Sequence, residues 1–169
     1  MKGLHFLFFF YLIIGSVIIV PGCEQPCDGV NCLNDGTCVD GDCQCLPGSS
    51  GEHCENVWRS ALLGQHSGTE FCMSSYDFYD YDINIENGLG GLKEIRVEGL
   101  FGIEELGWFA TMSSPDSFTF SPDQQQFSNG GVLYYLVSGT GSITGSEVEI
   151  NYIIEADSEK FECGYVFKL

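Results

Sequence analysis

Three histidines, nine cysteines and a short run of aspartates are the residues of this 169-residue chain whose types could support chemistry. A hydrolase needs a nucleophile, a histidine free to take its proton, and an acid that orients the histidine. His5 lies in an apolar leader and His53 is confined between closely spaced cysteines, so a catalytic site would have to be built on His66. The expectation is that the chain carries no catalytic residue and is not an enzyme, with a hydrolase centred on His66 as the alternative. Asp77, Asp80 and Asp82 offer hard oxygen ligands of the kind calcium takes. Strand alternation accounts for Asp80 and Asp82 as a solvated face, and only Asp77 falls out of phase, so neither a metal nor a cofactor is expected. Trp108-Phe109 and Tyr134-Tyr135 could line a ligand cavity, but aromatic residues in strands mostly build the core.

Charge narrows the partners. Six Lys+Arg stand against 24 Asp+Glu, a net charge of −18. Removing residues 1–22 takes away Lys2 and no acid, which leaves −19. Such a field repels phosphate backbones and anionic headgroups, which excludes a nucleic-acid role and leaves cations tolerated. Residues 1–22 read as a secretory signal: Lys2 is the basic start, Phe6 to Val20 form the apolar core, and Pro21-Gly22 ends it. An anchor spanning the bilayer would need roughly 20 apolar residues with basic flanks. Nine cysteines therefore belong to an oxidising compartment.

Cysteine parity isolates one thiol. Six cysteines crowd between Cys27 and Cys54, Cys72 and Cys163 lie downstream, and Cys23 is left over. The stretch Val20-Pro21-Gly22-Cys23 resembles a bacterial lipobox, which implies lipidation of Cys23, cleavage before it, and attachment to a membrane through the lipid. Cleavage by ordinary signal peptidase is the alternative, and would leave a secreted protein with Cys23 free or paired between chains. Residues 23–26 are then a linker behind the anchor.

From Cys27 to Cys54 the gaps between cysteines are four, five, four, one and eight residues. Six cysteines allow fifteen pairings, and spacing alone does not choose among them. The spacing, the turn Asn34-Asp35-Gly36-Thr37 and the Gly48/Gly51 pair resemble the EGF-like family, here over residues 27–55. That resemblance implies Cys27–Cys38, Cys32–Cys43 and Cys45–Cys54. Fewer than thirty residues cannot bury enough apolar surface to offset chain entropy, so crosslinks must restrict the unfolded chain. Two positions depart from the family. The stretch before Cys27 lacks the acidic and amide cluster of calcium-binding modules, and Ser49 stands where an aromatic residue usually follows Gly48. The second departure leaves the packing of this module on its neighbour in doubt.

Residues 57–169 alternate apolar and polar side chains at period two, as in Tyr79, Tyr81, Ile83 and Ile85 against Asp80, Asp82, Asn84 and Glu86, with Asn87-Gly88 as a turn. About eight short strands predict an all-β chain: a small disulfide-rich EGF-like module followed by an antiparallel meander, or up-and-down β-barrel. Cys72 in the first strand and Cys163 in the last suit a bond across the closing seam, which requires their Cα atoms within about 7 Å. The domain resembles lipocalins in general plan, with Trp58 and Gly64 near its start. The expected function is an exported, lipid-anchored cell-surface protein whose first module spaces a binding or adhesion barrel from the membrane. Its partner would be a protein, a glycan or a small apolar ligand. A lipocalin-like small-ligand carrier is the alternative, and it needs a cavity of about 300 Å³ or more.

Overall fold

The computed structural model describes residues 26–74, 76–121 and 125–169. The leader of residues 1–22 and Cys23 lie outside the described residues, so the lipid anchor is not placed by it.

In the first module, β1 (Thr37–Val39) and β2 (Asp42–Gln44) form a hairpin. Disulfides join Cys27 to Cys38, Cys32 to Cys43 and Cys45 to Cys54. Only Gly48, Ser49 and Cys54 are buried in residues 26–55, so crosslinks rather than a core hold this unit. Two short strands, β3 (Ser49–Ser50) and β4 (Asn56–Val57), pair and lead without a spacer into a 3-10 turn at Trp58–Ala61.

The module packs directly on the barrel, contrary to the doubt raised by Ser49. The contact is made by glycine instead of an aromatic ring. At Gly48 a β-carbon would lie 2.9 Å from Leu92 Cβ, and its φ of +108° suits only glycine. Ser49 turns inward and its hydroxyl donates to the Leu46 carbonyl at 3.1 Å. Trp58 N–H donates to the Gly48 carbonyl at 2.9 Å. Arg59 Nη1 donates to the carbonyls of Gly91 and of Glu94, the latter at 3.0 Å. The Asn87-Gly88 turn is correspondingly wider than a tight hairpin, because residues 88–93 form the surface that receives the module.

Nine strands build the second unit: β5 (Gly64–Cys72), β6 (Phe78–Asn87), β7 (Glu94–Glu98), β8 (Gly107–Ser114), β9 (Ser117–Phe120), β10 (Gln126–Asn129), β11 (Val132–Thr144), β12 (Glu147–Ala156) and β13 (Glu159–Lys168). Neighbours pair antiparallel, β13 returns to β5, and β9 pairs with β11, so eight strands close a ring. The short β10 lies on the same edge of β11, beyond β9. Gln125 stands in the break between them. Its Nε2 donates to the Phe109 carbonyl at 2.8 Å and its Oε1 accepts the Phe109 N–H, so a side-chain carboxamide takes the place of a ladder peptide.

Alternation decides what the ring encloses. Trp108, Phe118, Phe120, Ile150 and Tyr165 point inward and are fully buried, while Asp80, Asp82, Glu147, Glu149 and Asn151 point outward. That is the reverse of a membrane-spanning barrel, whose outer band is apolar. On β11 a bulge between Leu136 and Ser138 brings Gly139 and Gly141 inward, where the rings of Phe120 and Phe118 lie on bare backbone. A β-carbon at Gly139 would come within 2.8 Å of Phe120 Cδ2. The barrel axis is thus packed with aromatic rings.

Strand direction gives the barrel two unlike ends. The lower end holds the chain entry, the core-packed Trp58, the 88–93 loop and the Gly145-Ser146 turn. The upper end holds residues 73–74, 76–77, 99–106, 130–131 and 157–158. Cys72 and Cys163 are direct partners in the β5–β13 ladder near that upper end, bonded with Cα atoms 4.1 Å apart. Closing a loop of that length contributes about 4–5 kcal/mol in the chain-entropy model. The double variant Cys72→Ser/Cys163→Ser is expected to lose that amount in urea unfolding while keeping its β circular dichroism. A loss below about 1 kcal/mol would mean that the ladder alone fixes the seam.

Candidate functional site

The upper mouth of the barrel carries a buried acid. Glu70 is in phase with Cys72 on the inward face of β5 and is only 3% exposed. Its Oε1 accepts the hydroxyl of Tyr81 at 2.6 Å and also that of Tyr152 from β12, across β13. Oε2 accepts no hydrogen bond among the described residues. No Lys or Arg reaches it: the ion pairs among the described residues are Arg96–Glu98 and Lys160–Glu155.

A strap closes over this group. The β7–β8 connection makes a 3-10 turn at Leu100–Gly102, in which Phe101 holds φ +64°, a left-handed conformation that costs a bulky residue of order 1 kcal/mol or more. Its backbone N–H donates to the Tyr81 hydroxyl at 3.0 Å, and its ring lies 5.3 Å from Phe161 and 6.3 Å from Tyr134, centroid to centroid. Tyr81 therefore accepts from the strap and donates to Glu70. Beneath the strap is a hollow of about 430 Å³ lined by Glu70, Cys72, Tyr79, Tyr81, Phe101 and Phe161, among others.

Two other surfaces lie nearby. The outer wall over β5, β13, β12 and β11 has a shallow groove of about 1000 Å³ with Phe71, Ile153 and Val166 in its floor and Glu149 and Glu162 beside them. At the β5–β6 tip Met73, Tyr76 and Phe78 are 58%, 78% and 73% exposed, and Phe71 stacks near both Tyr76 and Phe78.

The sequence candidates land elsewhere. His66 Nε2 lies 2.8 Å from the Leu62 carbonyl, which can only accept, so that nitrogen carries the proton. Its ring packs on Phe167 at 4.5 Å, at the lower end and far along β5 from Glu70. Asp80 accepts from the Thr69 hydroxyl at 2.7 Å, and Asp82 accepts from Ser67 at 2.6 Å and Gln65 at 3.2 Å. With Asp77 accepting from Tyr79, the three aspartates are spread along the outer wall, each engaged by a neighbour. Trp108 is core, whereas Tyr134 reaches the mouth and Tyr135 is exposed. Glu70, Cys72 and Cys163 are the one convergent group of metal-type ligands among the described residues, but both sulfurs are spent in a disulfide. Glu70 was not singled out from the sequence, although an acid two residues before an inward cysteine is a visible signal.

Burial raises the hydroxyl pKa of Tyr81 and of Tyr152 well above the ordinary tyrosine value, and the charge of Glu70 adds to both. Burial does the same for Tyr165, with Asp82 adding to it. A raised folded pKa means that the fold favours the protonated hydroxyl. That contribution is present in full below about pH 10, where free tyrosine titrates, and is lost as pH rises above it. Unfolding free energy is therefore expected to be insensitive to these groups at neutral pH and to fall above about pH 10. The Tyr81→Phe/Tyr152→Phe variant should start about 1–3 kcal/mol lower, because Glu70 loses its donors, and should show a shallower alkaline fall. Urea midpoints between pH 8 and 11.5 check this, and equal slopes for both proteins would contradict it.

No family model matches the chain, and no curated protein matches it. Among solved structures it is similar to a redesigned β-barrel, at 9% identity over 65% of this chain and 92% of the other, with a TM-score of 0.39. It is also similar to a Bacteroides fragilis protein named "putative outer membrane protein", at 11% identity over 66% of this chain and 52% of the other, with a TM-score of 0.41.

Proposed function

We propose that this protein is an exported lipoprotein, anchored through Cys23, whose EGF-like module holds a non-enzymatic binding barrel away from the membrane. The observation that carries the reading is the aromatic tip of Met73, Tyr76 and Phe78 at the barrel end opposite the module. Exposed aromatic and methionine side chains gathered at one end favour a recognition surface over a solvent-facing loop. Asp77 and Glu162 stand beside them in a chain of strongly negative charge, so the partner is a protein with an apolar and basic face. The four disulfides suit an oxidising, extracytoplasmic destination. His66 serves packing in this reading. A small-ligand carrier remains the second reading, supported by the hollow at the mouth rather than by the ring-filled axis.

Cell fractionation tests the anchor. Wild-type protein is expected in the membrane pellet and Cys23→Ser in the soluble fraction; an unchanged pellet would remove the lipoprotein reading. Polarity is tested by energy transfer from a membrane dye to a fluorophore at Ser158 or at Gly90. The upper label should lie about 25 Å farther from the bilayer, the rise of a tilted ten-residue strand. Equal distances would mean that the tip is not displayed outward.

A further inference from the structure

An acid buried at the mouth with no basic partner is costly, because a carboxylate removed from water needs charge compensation as well as hydrogen bonds. Tyr81 and Tyr152 supply hydrogen bonds to one oxygen and no positive charge. The cationic side chains among the described residues lie elsewhere: Arg59 donates to carbonyls at the lower end, Lys93 lies beside Gly48 and Lys168 ends β13 at that same end, Arg96 pairs with Glu98 on the wall, and Lys160 pairs with Glu155. Glu70 lines a hollow whose other walls include aromatic side chains, and aromatic faces attract cations and apolar groups alike. A neutral apolar ligand would leave Glu70 uncompensated, and an anion would be repelled by it.

We propose that the mouth is a receptor site for an alkylammonium group, the cation resting on Glu70 Oε2 and its apolar arm lying against the rings of Phe101 and Phe161. The proposal rests on the reading of the barrel as a binding module. It assigns the site to one chemistry, whether the ammonium belongs to a free amine or to a lysine side chain of a protein partner. The strap takes part, since Tyr81 joins the Phe101 N–H to Glu70 and a cation on the acid changes what that hydroxyl must do. Phe101 sits in its strained conformation at the point where a ligand would enter.

The test titrates full-length protein in detergent micelles with phenethylammonium, with 2-phenylethanol as a neutral ligand of the same shape, and with the peptide acetyl-Gly-Lys-Gly-amide. Phenethylammonium or the peptide is expected to bind with Kd of about 1 mM or tighter, and the alcohol at least about tenfold more weakly. Amide shifts should centre on Phe101, Gly102 and Phe161, and Glu70→Gln should weaken binding about tenfold. Tighter binding of the peptide assigns the ammonium to a partner's lysine, and the reverse assigns it to a free amine. Equal affinity for alcohol and amine, no binding of either cation, or shifts centred on the outer-wall residues Ile153 and Val166 would overturn the proposal. If Glu70→Gln does not fold, Phe161→Leu replaces it, with about fivefold weakening expected and unchanged affinity overturning the assignment. Solubilised protein is used throughout, so the result is independent of whether Cys23 carries lipid.

Discussion

The pairing of β13 with β5 is the constraint from which the rest of the barrel follows. A meander of short strands has two edges, each a row of unpaired peptide groups open to aggregation. Joining the first strand to the last removes those edges and converts every inward position into core. Once the ring exists, its radius limits what fits inside. Phe118 and Phe120 are accommodated only because the β11 bulge turns Gly139 and Gly141 toward them. Ladder register also places Cys72 against Cys163, so the covalent bond reinforces a contact that backbone pairing already makes.

Glu70 breaks the pattern that the seam enforces. Every other charged side chain with a described burial lies on the outer wall, in a loop or partly exposed, whereas this one occupies a core position beside the disulfide. Two tyrosines whose own ionisation is suppressed by burial keep their protons and so remain donors to it. An apolar residue there would pack more cheaply. A local conflict of this kind is expected where structure serves binding rather than stability.

Much of this was legible in the sequence. Period-two alternation locates β6, β12 and β13 closely, and the inward phase of Phe161, Cys163, Tyr165 and Phe167 is read directly from it. Cysteine positions near both ends of the domain pointed to the seam. The β11 bulge was not legible, because one extra residue shifts the inward set and leaves no compositional mark. Nor was the docking of the module. Loss of an aromatic at Ser49 argued against contact, but the contact depends on backbone approach at Gly48, a matter of shape rather than residue type. The mouth was missed because its parts lie on β5, β6, β12, β13 and the 99–106 connection, and only closure brings them together.

The ring has two seams of different kinds. One carries a disulfide; at the other, where β8 meets the gap between β9 and β10, the Gln125 side chain joins the Ser121 N–H in holding the Phe109 peptide. Mechanically, the barrel has a rivet and a clasp. Gln125 is the point where slow hydrolysis of one amide to an acid would set a negative charge against the Phe109 carbonyl, so chemical ageing would loosen the wall there.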